Sequence, residues 1–363
     1  MYTLAVIVAA LAVAAGIAFY FAYWPLRKYV YIKTSRTWND LARLYEFPPE
    51  EEVLEETDLF VSSTVMRDAC DVIWHEGVLE PPAALFGPLP HGTVVHVNAK
   101  HVGAFIEQVL PRLATPIVLV SGCDTVSSRI PGYQALIDSD KILHWFLQNY
   151  ELDPGAEVKA SKLPLGLNYH KLEPGGGNTS IDMGLPARAG NQQLTMKAIA
   201  ETIPPLAERP ARIYANFQLN MDTFLRSEEA RKRQQARGEA LAALRGKDFV
   251  FFEPHQTPRS EVWRRHRDFA FEASPHGNGL DCHRTWEALL LKTVPIVKTS
   301  PLDSLYDGLP VAIIEDWREI DAERLAAWQA EFADSFDGPI PEQLYSRYWI
   351  ARFRSFAEQG SGA

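Results

Sequence analysis

Short apolar blocks alternate with amphipathic blocks along most of the chain, and this pattern predicts two successive sets of strands and helices. In the first half, the predicted strands are residues 59–62, 93–97, 116–120 and 162–166, and the predicted helices are 101–113 and 141–150. In the second half, the predicted strands are residues 212–217, 249–252, 268–271, 294–298 and 311–314. The predicted helices of that half are residues 227–244, 259–266, 281–291, 322–332 and 341–358. Strands that alternate with helices are typical of parallel sheets, so the pattern predicts an α/β fold.

A stretch rich in Gly, Pro and Asn, residues 172–193, has no apolar periodicity and separates the two sets. It is interpreted as an interdomain linker or a mobile loop beside a cleft. We therefore expect two Rossmann-like domains that face each other across a cleft, residues 58–193 and 194–335. The final residues, 336–363, are expected to form a helix that packs back on them. Ligands of open α/β sheets bind outside the carboxyl ends of the strands, so the strand-to-helix loops are where a site is expected.

The N-terminal residues 1–26 carry no charged side chain, and residues 4–24 are almost wholly apolar. A helix of about 20 such residues crosses a bilayer, which predicts a transmembrane anchor followed by a juxtamembrane linker, residues 27–57. A cleaved signal peptide would need a basic residue before the apolar run and small residues after it. Arg27, Lys28, Lys33 and Arg36 follow the run and no Lys or Arg precedes it. This asymmetry predicts a single-pass membrane protein whose globular part lies on the cytoplasmic side.

Composition and charge narrow the possible functions of the 363-residue chain. Its net charge of −10 argues against a general nucleic-acid binder, which needs a basic surface. The three cysteines are widely spaced and odd in number, which argues against a disulfide framework. The single Asp-x-Asp, at Asp138 and Asp140, precedes a predicted helix and is interpreted as a helix cap in preference to a metal ligand. We expect no metal and no cofactor.

The loop predicted after the strand at residues 268–271 carries the main candidate site, Ser274 to Glu287. Gly277 and Gly279 would let the backbone adopt unusual conformations and let a ligand approach closely. The helix that follows would present free N–H groups and the positive end of its dipole, which suits a diphosphate. His276, His283 and Arg284 would add hydrogen-bond donors or positive charge to such a ligand.

Glu287 lies four residues after His283 and three after Arg284, so the three side chains can share one helical face. A carboxylate accepts two hydrogen bonds and a ribose 2′,3′-diol offers two, so Glu287 can hold the sugar of a nucleotide. A plainer interpretation remains open beside this one. In it the glycines form an ordinary turn, Asp281 caps the helix, and Arg284 and Glu287 form a surface pair.

The segment 274–297 resembles the donor-binding segment of exostosin-like glycosyltransferases, on its Gly-Asn-Gly, Asp-Cys-His-Arg and Trp-Glu strings. The resemblance continues through residues 300–306, 309–311 and 315–317. It implies a GT-B fold and a nucleotide-sugar held mainly by the C-terminal domain, without a metal. It further implies that Glu287 holds the ribose and that Arg284 with the Gly277–Gly279 loop holds the diphosphate. The donor-binding residues expected in all are Asn216, Arg226, Ser274, His276, Gly277, Asn278, Gly279, His283, Arg284 and Glu287.

The base that activates the acceptor hydroxyl is expected from the N-terminal domain. Asp124 follows a predicted strand and His170 lies near the domain junction, so both are candidates for the base. His101 is a further candidate, and each of the three residues could equally have a structural role.

We therefore expect a glycosyltransferase that moves a sugar from a UDP- or GDP-sugar to a glycan or lipid-linked acceptor at the membrane surface. The alternative is a non-catalytic, membrane-tethered nucleotide-sugar-binding or assembly protein of the same fold. An NAD-dependent enzyme is disfavoured, since position 282 is Cys where the Gly-x-Gly-x-x-Gly motif needs glycine.

Overall fold

The computed structural model describes residues 58–122, 127–169, 189–217, 228–254 and 257–358. The first of its two sheets has five parallel strands in the order β1-β2-β3-β4-β5. These strands are β1 Val72–Trp74, β2 Val94–Asn98, β3 Ile117–Gly122, β4 Ile142–Gln148 and β5 Ala160–Leu163. Helices α1 Ser63–Asp68, α2 Val102–Gln108 and α3 Gln134–Asp138 belong to this part of the chain. Every residue of β2 is buried, which is expected of a strand covered on both faces.

The second sheet also has five parallel strands, in the order β10-β9-β8-β6-β7. Its strands are β6 Ile213–Ala215, β7 Val250–Phe252, β8 Phe271–Ala273, β9 Val294–Lys298 and β10 Ala312–Ile314. The helices of this part are α4 Ala189–Glu201, α5 Glu228–Leu244, α6 Arg259–Arg265, α7 His283–Leu290 and α8 Ala322–Glu331. Two parallel α/β sheets in one chain agree with the fold class expected from the alternating pattern.

The last helix, α9 Ser346–Glu358, returns to the first sheet. Phe353 is fully buried and its ring centroid lies 6.1 Å from that of Phe146 on β4. Phe356 stacks on His144 of the same strand at 4.0 Å. The aromatic residues of α9 thus cover one face of a sheet that is distant in sequence, which fits their near-helical spacing.

Residues 141–150, which the sequence predicts as a helix, instead contain strand β4, so that prediction is wrong. Strand β4 lies between β3 and β5, and burial on both faces removes the alternation that marks a strand. Asp138 ends helix α3, and a strand follows it, so the capping interpretation of Asp138 and Asp140 is wrong as well. The strand predicted at residues 59–62 forms isolated bridges only, through Phe60 and Ser62.

Three predicted segments fall wholly or mostly outside the described residues. The anchor at residues 1–26 and the linker at 27–57 lie there, as does most of the stretch 172–193, whose last residues begin helix α4. In the part of the chain that the structure describes, no helix combines the length and apolar character needed to cross a membrane. The anchor and the cytoplasmic placement stay predictions, and so do the domain boundaries.

Candidate functional site

The carboxyl ends of β4 and β5 meet the loop that follows β8, and hydrogen bonds join the two parts of the molecule there. The Leu165 N–H donates to Asp281 Oδ2 at 2.6 Å, and the Asp281 N–H donates to Asn149 Oδ1 at 3.0 Å. His283 Nδ1 donates to the Gly166 carbonyl at 2.6 Å. The edges at which ligands of open α/β sheets bind therefore face each other.

Asp281 is buried and forms hydrogen bonds with residues that follow strands β4 and β5 of the first sheet. Besides Leu165, its carboxylate accepts the Cys282 N–H at 2.8 Å and Trp286 Nε1 at 2.9 Å. Burial raises the pKa of Asp281 to about 6, although these donors act to lower it. The N-cap of α7 is Cys282, so the interpretation of Asp281 as the helix cap is wrong.

Gly277 and Gly279 do not have the backbone conformation that the sequence suggested, because neither has a positive φ. Their lack of a side chain matters for packing instead. A Cβ on Gly279 would lie 2.3 Å from the Asn149 amide, and one on Gly277 would lie 3.2 Å from Cys282 Sγ. Gly279 thus allows Asn149 from the first sheet to reach the Asp281 N–H.

Glu287, on α7, is held by two side chains of α6 that sequence reasoning missed. Arg259 Nη2 forms an ion pair with Glu287 Oε1, and Trp263 Nε1 donates to Oε2 at 2.9 Å. The Glu287 side chain is 12% exposed. Burial acts to raise its pKa, but the Arg259 charge and the two hydrogen bonds outweigh it and lower the pKa, so Glu287 is ionised at neutral pH.

Arg259 also connects Glu287 to the first half of the chain. Its Nη1 donates to the Asn168 carbonyl at 2.6 Å, and its guanidinium lies 5.2 Å from the Trp263 ring centroid. Among the described residues, each Glu287 oxygen therefore has one donor and keeps further lone-pair capacity. The carboxylate is fixed in place and can still accept hydrogen bonds from a ligand.

Arg284 lies beside a buried acidic residue, Glu272. Its Nε lies 3.8 Å from Glu272 Oε1, and its side chain is only 16% exposed. Its Nη1 is buried and has no hydrogen-bond partner within the described ranges. The surface pair of Arg284 with Glu287, one of the two interpretations of this helix, is replaced by these contacts.

Glu272 also contacts a second basic group, His266, whose Nε2 donates a hydrogen bond to Glu272 Oε2 at 2.8 Å. Burial acts to lower the pKa of His266, but the Glu272 carboxylate overcomes this and raises it. Two basic side chains therefore face one buried carboxylate, and Arg284 keeps an N–H that has no partner among the described residues and could bind an anion.

The other residues predicted to bind the donor are spread over these elements. Ser274 Oγ is buried and lies 2.8 Å from Thr285 Oγ1, and His276 Nε2 donates to the Lys298 carbonyl at 3.2 Å. Asn278 is half-buried in the loop, and Asn216 is half-buried directly after β6. Burial lowers the pKa of His276, which favours its neutral form.

The residues predicted to act in catalysis are not placed. Asp124 and His170 lie outside the described residues, and so does Arg226 of the predicted donor site. The further candidate His101 stacks on Trp74 with ring centroids 4.9 Å apart, and its Nε2 donates to the Glu76 carbonyl at 3.0 Å. These contacts give His101 a structural role.

Comparison with known proteins finds distant similarity only. No family model matches the chain, and no curated protein matches it. A solved structure described as trehalose-6-phosphate from E. coli bound with UDP-2-fluoro glucose is 11% identical, with a TM-score of 0.34 over 75% of this chain and 72% of that one. The OtsA apo structure is 12% identical, with a TM-score of 0.39 over 75% and 74%. The TarM crystal structure is 9% identical, with a TM-score of 0.38 over 73% and 54%. Because these scores are low, the proposals below rest on the chain's own residues and geometry.

Proposed function

We propose that the chain is a glycosyltransferase of the GT-B fold that transfers a sugar from a nucleotide-sugar to an acceptor hydroxyl. The segment 274–287 and the side chains around it bind the nucleoside diphosphate of the donor. The two facing parallel sheets support this proposal, as does the resemblance of the segment to exostosin-like enzymes. The reaction needs no metal in this proposal, because basic side chains and a helix N-terminus stabilise the leaving diphosphate.

The observation that carries the proposal is the environment of Glu287. An ionised carboxylate at the meeting edge of two parallel sheets is costly to bury unless it has partners, and Arg259 and Trp263 supply them. Those partners use one acceptor position on each oxygen. The remaining positions can accept the two hydroxyl hydrogens of a ribose 2′,3′-diol, which is the role proposed for Glu287.

Arg284 supports the diphosphate half of the site. Arg284 lies on the first turn of α7, where the helix dipole also favours negative charge, and its buried Nη1 has no partner among the residues that the structure describes. Charge-assisted hydrogen bonds from arginine to phosphate are about twice as strong as neutral ones. A diphosphate at this position would satisfy a buried N–H group that has no partner in the part of the chain that the structure describes.

The remaining features of the proposal come from the sequence. The donor is a UDP- or GDP-sugar, the acceptor is a glycan or a lipid-linked glycan, and Asp124 or His170 acts as the base. The predicted anchor at residues 1–26 holds the enzyme at the cytoplasmic face of a membrane, where it meets such acceptors. A non-catalytic nucleotide-sugar-binding protein would share the donor site and lack the transfer reaction.

A thermal-shift comparison of the purified chain with UDP, GDP, CMP and NAD tests the donor site. At a hundredfold excess over the dissociation constant, a bound ligand adds about 2.7 kcal/mol of stability. We expect one nucleoside diphosphate to raise the melting temperature, and Glu287→Gln to reduce that shift. Glu261→Gln is the matched control, because Glu261 lies on the neighbouring helix α6 with 47% of its side chain exposed.

The thermal-shift results distinguish a nucleotide-sugar site at Glu287 from the other interpretations. A shift with UDP or GDP that is lost in Glu287→Gln and kept in Glu261→Gln supports the site. An equal shift in both variants removes Glu287 from the ribose. A shift with NAD alone, or with none of the four ligands, contradicts the proposed function. Slow hydrolysis of the matching nucleotide-sugar, followed by release of the diphosphate, distinguishes an enzyme from a non-catalytic binder.

A further inference from the structure

A cavity of about 280 Å³ lies at the carboxyl end of the first sheet, and of the proposed donor-binding residues only His283 is among those that line it. Side chains from α1, β2 and β4 line it, and His283 at the start of α7 completes its wall. His283 thus belongs both to the proposed donor segment and to this cavity. A molecule in the cavity would lie beside the proposed donor.

Two deeply buried polar side chains reach the cavity without full hydrogen bonding. His96 on β2 is 7% exposed and Gln148 on β4 is 5% exposed. His96 Nδ1 and Gln148 Oε1 are both buried atoms that have no partner among the residues that the structure places. Leaving a buried polar atom without a partner is energetically costly, so two of them in one cavity indicate a place for a polar ligand.

The Gln148 amide is held so that its oxygen is the group left free. Its Nε2 donates to Ser63 Oγ and to the Pro164 carbonyl, both at 2.8 Å. On the neighbouring strand, a Cβ on Gly122 would lie 2.4 Å from Gln148 Oε1. The glycine at this position therefore makes room for the Gln148 carbonyl oxygen at the cavity wall.

The charged side chains Arg67 and Lys100 at the cavity each pair with an acidic side chain, so the cavity does not require a charged ligand. Arg67 Nε donates to Asp68 Oδ1 at 2.8 Å, and Lys100 forms an ion pair with Glu76. Burial, together with the nearby Arg67 charge, lowers the pKa of His96 to about 3, so its ring is neutral at physiological pH. The free groups of the cavity are thus neutral hydrogen-bonding atoms.

We propose that this cavity is the acceptor subsite and that it holds one uncharged, hydroxyl-bearing sugar residue through His96 and Gln148. The inference rests on the proposed function and names the class of acceptor. A volume of about 280 Å³ is sufficient for a single sugar unit. A sugar hydroxyl donates to Gln148 Oε1 and a second one pairs with His96 Nδ1. In this role His96 binds the acceptor and is not the base.

Saturation-transfer NMR and calorimetric titration of the full chain test the proposal with defined probes. The neutral probes are the methyl glycosides of glucose, galactose, mannose and N-acetylglucosamine, and the charged probes are glucose 6-phosphate and glucuronate. UDP and GDP are titrated in parallel. We expect at least one neutral glycoside to bind, and His96→Leu to weaken it about tenfold or more without changing nucleotide affinity.

His144→Leu is the matched control, since His144 is another buried histidine of the same sheet that does not line the cavity. Gly122→Ala is a second test that leaves His96 in place, and it should also weaken the glycoside by displacing Gln148 Oε1. Equal loss in His96→Leu and His144→Leu would overturn the proposal, as would unchanged glycoside affinity in Gly122→Ala.

The nucleotide titrations distinguish failure of this inference from failure of the proposed function. If UDP or GDP binds and no neutral glycoside does, the acceptor subsite is wrong and the donor site stands. Preferential binding of the charged probes would overturn the proposal that the acceptor sugar is uncharged. If neither nucleotide binds, the proposed function fails, whereas glycoside binding alone would leave a sugar-binding cavity without a transferase.

Discussion

Glu272, Asp281 and Glu287 are three carboxylates in buried or nearly buried positions near the cleft, and each has a different kind of partner. Glu272 faces two basic side chains, Asp281 accepts mainly backbone and indole N–H groups, and Glu287 pairs with an arginine. Ionised groups tolerate burial only with such partners. Their differing environments give each a different expected response to mutation and pH.

Removal of the Glu272 carboxylate is expected to destabilise the protein strongly. Glu272→Ala leaves His266 and Arg284 with an uncompensated charge in a buried site, which costs about 3–5 kcal/mol. Urea unfolding followed by tryptophan fluorescence measures the loss. The exposed Glu201→Ala is the control and should change stability by less than about 0.5 kcal/mol. A similar small change in Glu272→Ala would contradict the buried network.

Asp281 is expected to make stability depend on pH between about 4 and 6. Its folded-state pKa of about 6 lies above the usual 3.8, so the folded chain holds this proton more tightly than the unfolded chain. The contribution of Asp281 to stability therefore falls as the pH rises through that window. Asp281→Asn should remove this component, on the order of 3 kcal/mol between the two ends. Parallel pH profiles of the variant and the wild type would contradict the raised pKa.

The sequence indicated the Glu287 position but not its partners. Glu287 and Arg259 are 28 residues apart and lie on different helices, so no helical spacing links them. Spacing did place Arg284 near Glu287 on the same helix, yet the buried Glu272 draws its guanidinium elsewhere. Pairings of this kind depend on how β8, α6 and α7 pack, which a local pattern does not contain.

At the scale of elements, strands with clear boundaries were predictable, and strand β9 was predicted with its observed ends. Strand β4 was not, because its run Ile-Leu-His-Trp-Phe-Leu-Gln is apolar on both faces and can be mistaken for a helix. Its identity is determined by the neighbours β3 and β5, which bond to it on both sides. Because residues 141–150 were predicted as a helix, Gln148 and Asn149 were not predicted to lie at the cleft, which they reach at the end of β4.

Gly166 contacts two distant parts of the chain: it forms an isolated bridge with Ser62, and its carbonyl accepts a hydrogen bond from His283. Replacement of Gly166 tests how tightly these parts pack. The φ of Gly166 is +66°, and a Cβ would lie 2.3 Å from the Val61 carbonyl oxygen. Gly132 has a φ of +71° with no atom within 4 Å of such a Cβ, so Gly132→Ala measures backbone strain alone, about 1 kcal/mol. Gly166→Ala should cost at least about 2 kcal/mol more in chemical unfolding. Equal losses in the two variants would show that the contact with Val61 is not tight.

At the scale of the whole molecule, two parallel sheets meet at their carboxyl edges, and the segment 274–287 after β8 carries both the proposed donor site and the contacts that join the two halves. Asp281 and His283 bond to Leu165 and Gly166 after β5, while Arg284 and Glu287 contact side chains of β8 and α6. The segment is therefore in contact with both halves of the molecule. The sequence predicted the two-sheet architecture from its repeated pattern, whereas the bonds that close the cleft follow only from the packing.

The most direct test of the central claim compares UDP and GDP with their 2′,3′-dideoxy forms by isothermal titration calorimetry. If Glu287 holds the ribose diol, loss of both hydroxyls weakens binding to the wild type by about a hundredfold or more, because hydrogen bonds to a charged group contribute roughly 1.5–3 kcal/mol each. Glu287→Gln should bind the two forms with nearly equal affinity. The same ratio in wild type and variant would contradict the account and remove Glu287 from the ribose.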